Sequence, residues 1–267
     1  MADPAPLPGP SSSTGAGAGS SLILAVRFLT IVPIPGREAS GPHALGSAAW
    51  WFPVVGLALG GALVLLDRLL AVLFPPLLSA LLVVSLWKVA TGGIHLDGLA
   101  DCLDAIGGRD REHRLAIMRD SRIGVFGAVG LILLFLIALV TLAELSKPVR
   151  GAALLLAPVV GRLAPLVVGP WFPAASPQQG YGSPFLASLS AWSGGIHLVW
   201  TAALAVALLG PWGALALAAT LAAVLLWSVF MTWRLGGLTG DVLGSGVELA
   251  ELGILLGAAA LAHARVL

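Results

Sequence analysis

Long apolar runs recur along the chain, separated by short clusters of Pro, Gly and charged residues. The clearest is 123–143 (IGVFGAVGLILLFLIALVTLA), which carries no charge and has the ~20 residues that a helix needs to cross a bilayer. Runs at 46–66, 77–94, 151–168, 196–210, 213–231 and 246–262 predict six further spans. Pro75-Pro76 and Pro211 fall between spans, and Trp171, Trp192, Trp212 and Trp233 fall near span ends, where amphipathic rings favour the membrane interface. The run 22–34 is interrupted by Arg27 and closed by Pro33 and Pro35. It is too short to cross and predicts an interfacial or re-entrant helix. Residues 1–20 are mostly Pro, Ser, Gly and Ala and are expected to be a disordered tail. No basic stretch precedes the first apolar run, so this tail is not read as a signal peptide. Residues 169–195 read as a Pro/Gly/Ser-rich loop. The expected architecture is all-α. It is a polytopic membrane bundle of about six to eight spans forming one domain over 21–267, with an amphipathic helix and an acidic motif at one face.

Composition supports the membrane reading. Hydrophobic residues make up 58% of the 267 and charged residues 10%, with a mean hydropathy of +0.99. Soluble domains carry about 25% charged residues, so this chain cannot coat a water-facing globule. The net charge of +1 gives no field for a nucleic acid. The single cysteine, Cys102, excludes an intramolecular disulfide framework. Orientation follows from Lys and Arg in short loops. With 95–122 placed in the cytoplasm, eight basic residues fall inside, against Arg68, Lys147, Arg150 and Arg265 outside. The same alternation puts 234–245 on the cytoplasmic side.

The acids are concentrated. Six of the 13 lie in 97–120 and three more in 241–251. Carboxylates beside hydrocarbon are costly unless they pair or bind a cation. In His95-Leu-Asp97-Gly-Leu-Ala-Asp101-Cys-Leu-Asp104 the aspartates stand at i, i+4 and i+7, on one helical face. Their mutual repulsion would be relieved by a divalent cation, and hard oxygen ligands favour Mg²⁺. Gly98 and Ala100 would let another group approach closely. Arg119-Asp120-Ser121-Arg122 offers guanidinium forks suited to phosphate. Arg234-Leu-Gly236-Gly237-Leu-Thr239-Gly240-Asp241 offers backbone N–H groups and side-chain oxygens. Glu248 and Glu251 should face the bundle interior, and Lys88 is placed to pair with an acid. No nucleotide-binding phosphate loop, Rossmann glycine signature or H-E-x-x-H occurs, which argues against an ATP-driven pump or a zinc protease.

The run Thr91-Gly-Gly-Ile-His95-Leu-Asp97-Gly-Leu-Ala-Asp101 resembles the signature of the cobalamin synthase (adenosylcobinamide-GDP ribazoletransferase) family. So do Met118-Arg-Asp120-Ser-Arg122-Ile-Gly124, Gly236-Gly-Leu-Thr239-Gly-Asp241-Val-Leu-Gly244 ahead of Glu248, and the N-terminal Phe28-Leu-Thr-Ile-Val-Pro33-Ile-Pro35. The likeness runs from about Phe28 to Glu251. It departs at the N-terminal tail, at Ser245 and at Cys102-Leu103, none of them an acidic position. The resemblance implies a multi-pass inner-membrane enzyme with its active site facing the cytoplasm. It would transfer adenosylcobinamide phosphate from adenosylcobinamide-GDP to α-ribazole or its 5′-phosphate, releasing GMP. Mg²⁺ is the implied cofactor, on Asp97, Asp101, Asp104 and Asp120. Asp104 or Asp101 would accept the proton, and His95, Arg119, Ser121, Arg122, Thr239 and Asp241 would bind substrate. The partners implied are the two substrates and the lipid bilayer, with no nucleic acid; homo-oligomerisation is left open. Two other readings stand beside it. One is a CDP-alcohol phosphotransferase of lipid synthesis, whose Asp-Gly pair Asp97-Gly98 resembles. The other is a cation-coupled transporter, against which the acids weigh by lying at span ends and in one loop.

Overall fold

The computed structural model describes residues 17–41, 43–175 and 182–264. Among these the chain is helical nearly throughout, and its only β-type pairing is an isolated parallel bridge between Ala174 and Leu238. Six helices are long and apolar enough to cross a membrane: α3 (Phe52–Leu73), α7 (Val125–Glu144), α8 (Lys147–Val168), α10 (Ala191–Leu209), α11 (Pro211–Leu235) and α12 (Gly240–His263). Helices α4 (Pro76–Ala90) and α5 (Ile94–Ile106) are long and apolar enough for a seventh span only when taken together, and they meet at a 91° bend. The 13 residues of α5 therefore run across the end of the bundle and do not extend the span. Shorter helices α1 (Ala18–Leu29), α2 (Ala44–Ala49), α6 (Arg111–Ile117) and α9 (Gly182–Ser188) complete the set.

Burial identifies the centre. In its most apolar stretch α8 is 78% buried and α12 61%, whereas α3, α7, α10 and α11 are 28–33% buried. The outer helices turn Val72, Val125, Val199 and Leu226 outward, an apolar surface that suits lipid and not water. Close packing against α8 uses small residues, as expected where lipid tails supply no hydrophobic drive. A Cβ placed on Gly56 or Gly60 of α3 would lie 2.5 Å from the carbonyl oxygens of Pro158 and Leu155 respectively. As residue numbers rise on α3 they fall on α8, so the two are antiparallel. Gly194 of α10 meets the Leu166 carbonyl, while Gly253 and Gly257 of α12 meet Thr220 and Ala216 of α11. Followed along the chain, these contacts bring the segments 91–124 and 234–241 to the same end of the bundle, as the sequence predicts.

The far end is fastened by a buried ion pair. Arg150 of α8 bonds to Asp67 of α3, to the Leu142 carbonyl at 3.1 Å and to the Ser79 hydroxyl of α4 at 3.3 Å. Sequence reading places Arg150 among loop charges, but the side chain lies inside the bundle. Removing it from the loop tally sharpens the charge asymmetry.

Several boundaries shift for local reasons. The expected span 46–66 is split at Trp50-Trp51, and α3 starts at Phe52 with Pro53 in its first turn, where a missing N–H costs nothing. The run 77–94 ends at Ala90. The last span starts at Gly240, six residues earlier than 246–262 suggests. Helix α1 is too short to cross, as expected, but it begins at Ala18, so the end of the expected tail is helical; residues 1–16 lie outside the described residues.

Gly60→Val is expected to force α3 away from α8 and to cost roughly 1–3 kcal/mol. Gly61→Val, whose Cβ would meet nothing within 4 Å, should be close to neutral. Thermal unfolding of the two variants in detergent compares them directly.

Candidate functional site

Two glycines create the platform. Gly92 (φ +64°) and Gly93 (φ +68°) take left-handed conformations that a side chain would strain. They stop α4 and send the chain sideways into α5. One face of α5, with Gly98, Leu99, Ala100, Cys102 and Ala105, is buried. The opposite stripe carries Asp97, Asp101 and Asp104. Gly98 is the point of contact with α12: a Cβ there would lie 2.8 Å from the Asp241 carbonyl oxygen and 3.0 Å from its Cα. This close approach sets Asp241, from a distant stretch of sequence, beside Asp97 and Asp101. The consequence is electrostatic. Burial, and then the charges of Asp97, Asp241 and Asp104, push the Asp101 carboxyl up to about 7.

Asp104 is engaged differently. Its Oδ2 accepts from the Gly124 N–H at 2.7 Å and its Oδ1 from the Gly127 N–H at 2.9 Å. These N–H groups open α7, so Asp104 caps that helix from outside, where the helix dipole also favours a negative charge. A Cβ on either glycine would collide with the carboxylate, which explains both glycines. The expectation that Asp104 is a free base or metal ligand therefore meets a carboxylate already committed to two amides. Asp120 is likewise occupied. Arg122 Nε donates to it at 2.9 Å and Arg122 Nη2 at 2.5 Å, and this pairing holds the exposed Asp120 carboxyl down at about 2.

The expected quartet Asp97, Asp101, Asp104 and Asp120 is thus not assembled. Among the described residues no three His, Cys, Asp or Glu side chains are gathered tightly enough to hold a metal. The set whose chemistry fits a hard divalent cation is Asp97, Asp101 and Asp241. All three are carboxylates, two of them bear on the third, and none forms a salt bridge among the described residues.

The loop before α12 is not a free flap. Leu238 N–H donates to the Pro173 carbonyl and Ala175 N–H to the Leu238 carbonyl, both at 2.8 Å. Arg111 donates to the Leu235 carbonyl at 2.6 Å and the Ala175 carbonyl at 2.7 Å, and Arg234 donates to the Ile106 carbonyl at 2.5 Å. Gly236 takes φ +77° to end α11. Thr239 caps α12, its Oγ1 accepting from the Val242 N–H at 3.2 Å, and Asp241 stands in the first turn. What reads in sequence as a glycine-rich anion wrap is a pinned linker of 236–239 followed by helix.

Beside Asp241, though not reaching Asp97 or Asp101, opens a cavity of about 540 Å³. His95, Arg119, Thr239 and Asp241 line it, four of the six residues expected to bind substrate. Ser121 and Arg122 do not; both are exposed, on the turn before α7. Arg162 also lines it and is missing from the sequence prediction. Arg162 belongs to a buried network spanning three helices. Lys88 of α4 donates to Glu248 and, at 2.6 Å, to Glu251 of α12, and Arg162 of α8 donates to Glu251. Sequence reading anticipates an acid for Lys88 and an inward Glu248 and Glu251. The available signal for Arg162 is its position as a lone cation in the middle of a span.

With this geometry in hand, comparison with known proteins is decisive. A family model described as cobalamin-5-phosphate synthase matches residues 21–259. The chain belongs to the cobalamin-5-phosphate synthase family. It is thereby a transferase of cobalamin biosynthesis with multi-pass membrane architecture. It is 39% identical over 239 residues to an adenosylcobinamide-GDP ribazoletransferase of Pseudomonas putida (strain W619), covering 88% of this chain and 97% of the relative. A relative of the same name from Novosphingobium aromaticivorans is 38% identical over 243 residues, 89% of this chain and 95% of the relative. One from Roseiflexus sp. (strain RS-1) is 38% identical over 229 residues, 85% of each. No solved structure matches the chain.

The raised Asp101 carboxyl has a sign that can be measured. The folded protein keeps a proton there that the unfolded chain releases between pH ~4 and pH ~7, so ionising Asp101 erodes stability as pH rises through that window. With divalent cations chelated, Asp101→Asn should raise the thermal midpoint most at pH ~8, and the gain should shrink steadily toward zero as pH falls to ~4.

Proposed function

We propose that the chain catalyses the reaction in its relatives' name: transfer of adenosylcobinamide phosphate from adenosylcobinamide-GDP to α-ribazole or its 5′-phosphate. The observation that carries this reading is the meeting of Asp97 and Asp101 with Asp241, across Gly98, at the edge of a cavity. That combination supplies the needs of phosphoryl transfer, which depends on positioning and on neutralising charge and requires little covalent chemistry from the protein.

The bond changes balance as follows. A secondary ribose hydroxyl of the acceptor, the kind of group left free in both α-ribazole and its 5′-phosphate, forms a bond through its oxygen to the phosphorus that bears the cobinamide. The P–O bond to the second phosphate breaks, and GMP departs with the electron pair. The proton of the attacking hydroxyl passes to a carboxylate. Asp101 is the better acceptor of the two expected, because Asp104 is held by the amides of α7. Asp97, Asp101 and Asp241, once their side chains draw closer than they stand here, would hold Mg²⁺, which when bound supplies charge neutralisation of the diphosphate. Arg119, exposed at the rim of the cavity, is placed to take an oxygen of the leaving phosphate. Arg122 has only Nη1 left for phosphate while its Nε and Nη2 hold Asp120.

The site faces the cytoplasm of the inner membrane in this reading, because the end that carries it also carries Arg109, Arg111, Arg114, Arg119, Arg122 and Arg234. The transporter alternative loses its basis. Away from the span ends the acids Asp67, Glu248 and Glu251 are each closed by a basic partner, which speaks against a row of free carboxylates for an ion path.

Purified protein in detergent, given adenosylcobinamide-GDP and α-ribazole, should release GMP and form adenosylcobalamin only when Mg²⁺ is present, as read by mass spectrometry. Asp97→Asn and Asp241→Asn should each lower turnover by at least about a hundredfold. Near-normal Mg²⁺-dependent turnover in both variants, or GMP-free conversion of CDP-diacylglycerol instead, would remove the assignment.

A further inference from the structure

The cavity has two unlike ends. Its deep wall is built from side chains that are nearly or wholly buried: Leu29, Phe52, His95 and Arg162. Its mouth carries Arg119, Gly240 and Asp241, which reach solvent. Three aromatic rings from three separate helices stand in sequence along the apolar side. Phe28 of α1 stacks on Phe52 of α3 at 5.7 Å between centroids, and Phe52 stacks on Phe185 of α9 at 5.9 Å. Such a wall favours a flat ring offered face or edge on. At the deep end the polar groups are only partly used. Arg162 is 1% exposed. Glu251 takes its Nη1, while its Nη2 and Nε, and the Nδ1 of the adjoining His95, have no hydrogen-bond partner among the described residues. A buried guanidinium with a free arm is costly unless something in the cavity accepts from it. The cavity volume lies within the ~300–1,000 Å³ typical of small-molecule sites, too small to enclose a corrinoid joined to a nucleoside diphosphate.

We propose that this cavity seats the flat aromatic base of the acceptor nucleoside. The base enters first, its unsubstituted ring nitrogen accepts a hydrogen bond from Arg162, and the attacking ribose hydroxyl is left at the mouth beside Asp241. The inference rests on the reaction proposed above and adds the acceptor's location and orientation. The polarity of the cavity decides the direction. An acceptor inserted sugar first would bury its hydroxyls against Phe28 and Phe52 and would carry its nucleophile away from the aspartates. Glu251 and Lys88 act through Arg162: they fix the guanidinium so that its remaining donors face the cavity.

The test compares two acceptors and two variants. The acceptors are α-ribazole and its indole riboside isostere, in which the accepting ring nitrogen is a C–H. In the unmodified protein the indole riboside should show a KM about tenfold higher, with the KM for adenosylcobinamide-GDP unchanged. Arg162→Lys keeps a cation for Glu251 but shortens the fork, and it should erase most of that discrimination. Phe28→Ala, on the half-buried α1, should raise the KM for both acceptors and spare the donor KM. Should Arg162→Lys fail to fold, the isostere comparison and Phe28→Ala still decide. Equal KM values for the two acceptors, or a rise confined to the donor KM, overturn the inference while leaving the transferase reading intact. Equilibrium dialysis of radiolabelled α-ribazole in the absence of donor separates the remaining case. Saturable binding that Phe28→Ala weakens, without any GMP formation, upholds the seat and overturns the reaction; no saturable binding overturns the seat.

Discussion

An ionised side chain inside a helix bundle surrounded by lipid must find a partner, and this one constraint organises the protein. Desolvating a single charge costs several kcal/mol, and breaking a buried pair on one side costs about 3–5 kcal/mol. Arg150 is matched with Asp67 at one end of the bundle, and Lys88 and Arg162 with Glu248 and Glu251 nearer the other. The second group is two cations and two anions, neutral in sum. Each cluster fastens helices that the chain places far apart, so the pairs also fix which helices are neighbours. Apolar packing alone would specify this less well, because lipid-facing and protein-facing surfaces of these helices are similarly apolar.

The carboxylates Asp97, Asp101 and Asp241, which escape this pairing, stand together at one end of the bundle and mark the candidate site. Asp97 and Asp101 lie on α5, which turns aside at Gly92-Gly93, and Asp241 opens α12 beside them; all three are reached by water. Burial, and then their mutual repulsion, raises the carboxyl of Asp101. Arg162 links the two regimes. One arm belongs to the neutral cluster and the other is unspent at the cavity wall, so the structural charges of the bundle also orient a donor toward the chemistry.

The spans, the common end of 91–124 and 234–241, and the concentration of acids were legible in sequence because each follows from a local pattern: apolar run length, alternation, or spacing along one helix. Asp104 shows where such reasoning stops. Its place at i+7 on the same stripe as Asp97 and Asp101 is read correctly, but its task is set by α7, whose exposed N–H groups arrive from 20 residues later. Gly124 and Gly127 carry that information, though only as glycines. Likewise Arg122 satisfies Asp120 two residues away, a local pairing that competes with the phosphate contact its motif suggests. Arg162, Phe52 and Phe185 form one wall only after α3, α8 and α9 have packed, and no single window of sequence contains them.

The position of the site relative to the bilayer has its own physical logic. Trp171, Trp192 and Trp233 are strongly exposed, and all three mark helix ends on the same side as α5, where aromatic rings settle at the interface. The aspartates therefore lie close to the headgroup level, and the aromatic cavity reaches from there toward the bundle interior. A diphosphate gains nothing from entering hydrocarbon, while a flat ring gains from leaving water. An active site that joins the two is best built across that boundary, with its carboxylates in the aqueous layer and its apolar pocket behind them. The sideways turn of α5 achieves this, since a helix that continued straight from α4 would carry its aspartates away from the pocket and from Asp241.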